Sequence, residues 1–226
     1  MPKKIIALML CVISLLSVSA CSQTNETADD FLLQISGTYV ELFPEMSKPE
    51  YRDIWLEAVT PIVGADNADV AVDQLIGHCT AEIYGAEAVS AYADDPDSTR
   101  FDCYFIGGVT RFVMDGHTIQ GLDETGSEVF SHAYEPMNIE NENGFIFYQT
   151  HDDDAGQFTY FAFLPDTMDT TYHLEFRYSE DQDDLQSWFE GNYAYWNAAA
   201  IAADYSEQTM HDVIHLFAEE NLTSEE

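Results

Sequence analysis

The chain has 226 residues, seven of them basic and 42 acidic, with a formal charge of −35. Such a field repels nucleic-acid phosphates and anionic lipid and attracts cations, so polyanion binding is excluded as a function. Hydrophobic residues at 46% and aromatic residues at 13% are too many for a disordered acidic chain, so a folded core is expected.

The N-terminus reads as a secretory signal. Lys3 and Lys4 precede an apolar run from Ile5 to Leu16, shorter than the roughly 20 residues that span a bilayer as a helix. Val18-Ser19-Ala20-Cys21 resembles a bacterial lipobox, in which cleavage exposes a cysteine that receives a lipid. The alternative is an ordinary signal peptide with a cysteine near its cleavage site. The expected division is a signal peptide over 1–20, a lipidated Cys21 with a polar tether over 21–34, and one domain over 35–222. The protein would then be exported to the periplasm or the cell surface and held at a bacterial membrane only through its lipid. Cleavage removes two lysines, leaving five basic residues against 42 acidic ones, a formal −37. Cys79 and Cys103 remain in an oxidising compartment, either unpaired or as a disulfide closing a loop of 103 − 79 = 24 residues.

Residues 31–76 have helical patterning. Tyr51, Ile54, Trp55, Ala58, Val59 and Ile62 recur on one face, with Pro61 expected to bend or end the helix. Asp69 to Ile76 follows as a second helix, with Val70, Val72, Leu75 and Ile76 as its apolar set. From about residue 80 the pattern changes to strands. Phe101–Ile106, Thr110–Met114, His117–Leu122, Glu128–Tyr134, Phe145–Thr150, Phe158–Leu164 and Thr171–Tyr178 are short and rich in aromatics. Asp115-Gly116 and Thr125-Gly126 supply tight turns between them. Helical patterning returns over 183–203, where Trp188 and Trp196 are expected to cover an apolar surface, and Ser206 caps a last helix with Met210, Val213, Ile214 and Phe217 buried. The expected fold is mainly β with flanking helices, an antiparallel calycin or lipocalin-like barrel over about 80–178.

No nucleophile–base motif, zinc-protease helix or phosphate loop is present, so catalysis is not expected. Histidine is the informative residue. His211 and His215 are four apart on the last helix and share a face, so two imidazoles can grip one cation. His151 with Asp152, Asp153 and Asp154 puts a nitrogen and oxygens on one loop, either as a cation loop or as an acidic hairpin tip. His173 lies in a strand with Thr171 and Glu175 on the same face.

Four segments together resemble the ZinT (YodA) family of exported zinc- and cadmium-binding calycin-like domains. They are ISGTYVELFPEM (35–46), GHCTAEIYG (77–85), DGHTIQGLDETGSEVF (115–130) and FAFLPDTMDTTYHLEFRYSEDQDDLQSWFEGNYAYW (161–196). The resemblance implies a divalent metal ligand, zinc, held by three histidines, and a link to a metal-uptake system. Carried onto this chain, those positions fall on Thr167, Thr171 and His173. One nitrogen and two hydroxyls do not make a zinc site, so other donors are required, with Glu175, His78, His211 and His215 as candidates. The competing expectation is a metal-free calycin-like module that binds a small apolar ligand or a protein partner.

Overall fold

The computed structural model describes residues 31–79, 105–140, 144–164, 173–187 and 198–223. The signal and lipobox with Cys21, the acidic run Asp94–Asp97, Cys103, Thr167, Thr171, Trp188 and Trp196 lie outside the described residues, as does most of the strand expected at 101–106.

The chain enters through a short helix α1 (Phe31–Gln34) and strand β1 (Gly37–Glu41). Helices α2 (Leu42–Met46), α3 (Arg52–Val63) and α4 (Ala65–His78) follow. Pro61 lies in the last turn of α3 and has no N–H to donate back to the preceding turn, and the helix ends two residues later before Gly64 at φ 81°. Strands β2 (Arg111–Asp115), β3 (Thr118–Leu122), β4 (Glu128–Ala133) and β5 (Glu135–Met137) form the next run. Gly116, at φ 61°, permits the tight turn between β2 and β3. Then come β6 (Ile146–Gln149), β7 (Tyr160–Leu164), β8 (Leu174–Ser179), α5 (Gln182–Ser187), β9 (Ala198–Ala202) and α6 (Glu207–Leu222).

The nine strands among the described residues make one antiparallel sheet in the order β4-β3-β2-β1-β9-β8-β7-β6-β5. Its two edges, β4 and β5, are separated in the chain by Tyr134 alone. A sheet whose outermost strands are nearly continuous must roll up, so the fold is a nearly closed calycin-like barrel. The seam is pinned by side chains. Tyr134 donates its hydroxyl to the Phe158 carbonyl, and His132 Nδ1 lies 2.9 Å from Asp152 Oδ2.

Strand alternation sorts the core into two layers. Phe112, Phe161, Phe163, Phe176 and Tyr178 point inward and fill the barrel with rings, Phe112 meeting Phe176 edge-on at 5.1 Å. On the outer side, Ala199 and Ile201 of β9 pack against α2, α3, α4 and α6 through Phe43, Trp55, Val72, Met210 and Ile214. The apolar run Ala198–Ile201 is therefore buried on both faces.

This corrects several expectations. Residues 198–202 form a central strand where a helix was expected, and 37–41 form a strand inside the supposedly helical 31–76. The barrel thus recruits strands from both ends of the domain, beyond 80–178. Val70 is 61% exposed, so it is not part of the apolar face of α4. The last helix largely meets its expectation: the Ser206 hydroxyl accepts from the Thr209 amide, and Met210, Val213 and Ile214 are buried, while Phe217 is only partly buried.

Candidate metal centre

Leu174 and Phe176 of β8 belong to the barrel interior, so Glu175 between them points outward. Its register partner is Ala199, whose methyl packs in the helical layer. His173, two residues before Glu175, shares that outer face. His173 Nε2 lies 3.1 Å from Glu175 Oε1, and the two side chains are only 12% and 29% exposed. The helix above them brings Glu220. Burial first, and then the Glu175 carboxylate, push the Glu220 carboxyl above the usual range, while His173 pulls it back. Glu220 is thus near enough to feel both charges, although the ligand atoms of these three residues do not all lie within 4.8 Å of one another.

His211 and His215 gather elsewhere on α6. Glu220 is five residues beyond His215, which on an α-helix is about 140° around and about 7.5 Å along the axis. The two imidazoles stack with centroids 4.1 Å apart and planes 22° apart. They face Glu57 of α3, with His211 Nε2 4.0 Å from Glu57 Oε1. Among the described residues, Glu57, His211 and His215 are the one group of three or more His, Cys, Asp and Glu whose ligand atoms all lie within 4.8 Å of one another. Burial first, and then the neighbouring His211, hold the His215 pKa below the ordinary histidine value, which favours the neutral ring.

Other candidates are placed differently. His78 closes α4, but its side chain lies outside the described residues. Cys79 is buried, and Cys103, with which it could form a disulfide, is outside them. The loop from His151 is divided between two pairs: His151 Nε2 with Glu135 Oε1 at 2.7 Å, and Asp152 with His132. It therefore serves the barrel seam. A cleft at one barrel end is lined by Glu41, Phe105, Val109, Thr110 and Asp123. Among the described residues, no helix is long and apolar enough to cross a membrane.

Sequence reasoning paired His173 with Glu175 but missed Glu220 and Glu57. Both are ordinary acidic residues on helices, and only tertiary packing distinguishes them from their neighbours.

No protein-family model matches the chain, and no curated protein matches it. Solved structures similar to it include two from one organism. One is the Zn(II)-bound ZinT-like domain of Streptococcus pneumoniae AdcA, at 13% identity and TM-score 0.46, covering 90% of this chain and 94% of that one. The other is Zn(II)-bound AdcA from the same organism, at 13% identity and TM-score 0.45, covering 87% of this chain. This chain spans 39% of the length of that AdcA chain.

Proposed function

We propose that the protein is exported, lipid-anchored and binds a divalent metal ion, zinc foremost, to capture or buffer it outside the cytoplasm and pass it to a metal-uptake system. The observation that carries this reading is the His173–Glu175 pair on the outer face of β8, with Glu220 of α6 near enough to feel both charges. The Glu175 carboxylate disfavours the charged form of Glu220, and a dication relieves that repulsion. The donor set fits: one imidazole nitrogen with carboxylate oxygens suits zinc, and harder cations less. The large negative charge concentrates cations near the surface without selecting among them. Selection comes from donors held in place by strand and helix.

The role proposed is binding without catalysis. The alternative of an apolar ligand inside the barrel is disfavoured, because among the described residues rings already fill that space. Equilibrium dialysis against zinc in excess calcium tests the reading. The purified protein is expected to retain zinc, and His173→Ala to lose at least ten-fold in affinity at one site. Unchanged zinc binding by His173→Ala would remove His173 from the site and overturn the assignment.

A further inference from the structure

We propose that Glu57, His211 and His215 form a second divalent-cation site, for a borderline transition ion such as zinc, which clamps α3 to α6. The first support is geometric. Ligands around a tetrahedral ion at about 2.1 Å stand about 3.4 Å from one another. The three ligand atoms here already lie within 4.8 Å of one another. The 4.0 Å between His211 Nε2 and Glu57 Oε1 is too long for a hydrogen bond but close to the spacing of two groups sharing an ion.

The second support is orientation. His211 Nδ1 lies 3.1 Å from Asp212 Oδ1, and Gln208 Nε2 donates to the same oxygen at 2.7 Å. With Nδ1–H donating to Asp212, the Nε2 lone pair is turned toward Glu57. A carboxylate behind the imidazole is the arrangement that fixes histidine ligands at metal centres. The third support is an unsatisfied atom. His215 Nε2 is buried and has no hydrogen-bond partner among the described residues. Buried ring nitrogens normally have one.

The site is separate from His173, Glu175 and Glu220. It uses a different face of α6 and a different partner element, α3. A cation there would tie the N-terminal half of α6 to α3, while one at His173 would tie its C-terminal end to β8. Both would hold α6 on the barrel, and either can exist without the other.

The test uses the purified full chain in excess calcium, which occupies non-specific carboxylates. In the His173→Ala background, zinc stoichiometry is measured by dialysis and coordination by cobalt(II) absorption. One ion per chain is expected to remain, with the visible bands of a tetrahedral cobalt site. Glu57→Gln is expected to weaken that ion at least ten-fold. This residue is 67% exposed, so the variant should fold normally. His211→Asn with His215→Asn is expected to abolish the binding. Histidine side-chain nitrogen NMR should show zinc-induced shifts at His211 and His215 and at no histidine of the seam. The proposal is overturned if the His173→Ala protein binds no zinc, or if Glu57→Gln and the double asparagine variant leave its binding unchanged. If the parent protein binds one ion that His173→Ala spares and the double variant loses, the His173 reading fails while this one stands.

Discussion

Phe130 on β4 and Phe158, just before β7, stack with ring centroids 3.9 Å apart and planes 15° apart. This pair joins one edge of the rolled sheet to the segment that feeds its far side. His132 also stacks with Phe130, at 5.8 Å, and Gly121 lies so close to Phe130 that a Cβ there would collide with the ring. The seam is therefore built from aromatic contact where ladder hydrogen bonds between β4 and β5 do not close it.

Phe130→Ala should lower unfolding free energy by about 3–5 kcal/mol, because it leaves a cavity at a closed joint. Urea denaturation measures this. A loss of less than about 1 kcal/mol would mean that the joint carries little of the barrel's stability. Gly121→Val should destabilise for the opposite reason, overpacking, with Phe130 and Val109 as the groups displaced.

Glu41 predicts a pH dependence. Its carboxyl is pushed up to about 7 from 4.5 by burial, with the Phe105 amide at 2.6 Å pulling the other way. The folded state thus holds this proton more tightly than the unfolded chain. Its contribution is complete below about 4.5 and is lost as pH rises through about 7. The full swing is about 3 kcal/mol. Glu41→Gln keeps an acceptor for the amide and removes the charge. The variant should match the parent near pH 5 and exceed it in stability at pH 8. Equal stability of the two proteins at both pH values would contradict the assignment.

The anchor is tested by Cys21→Ser. The variant should appear in the soluble fraction or remain unprocessed, and it should take up no fatty-acid label. A matured variant that stays in the membrane fraction without label would refute lipid anchoring.

Much of the fold is legible in the sequence where one face of an element is wet. The β2–β3 hairpin alternates and turns at Asp115-Gly116, and α6 carries its cap and stripe openly. Strand β9 is not legible, because AAAIA is buried on both faces and therefore shows no alternation, and alanine favours a helix when read alone. Strand β1 is five residues long and sits between helices, too short to outweigh their period. The candidate centre divides the same way. His173 and Glu175 are two apart on one strand, so the spacing pairs them. Glu220 and Glu57 reach their partners only through the packing of α6 on β8 and on α3, which no local pattern encodes.

The most direct test of divalent-metal binding at His173, Glu175 and Glu220 is a crystal structure of the zinc-loaded protein with anomalous scattering recorded at the zinc edge. The account predicts an anomalous peak between β8 and α6, about 2.1 Å from a His173 nitrogen and about 2.0–2.2 Å from oxygens of Glu175 and Glu220. A zinc-loaded crystal with no peak at His173, and with the His173–Glu175 contact unchanged at 3.1 Å, would contradict it.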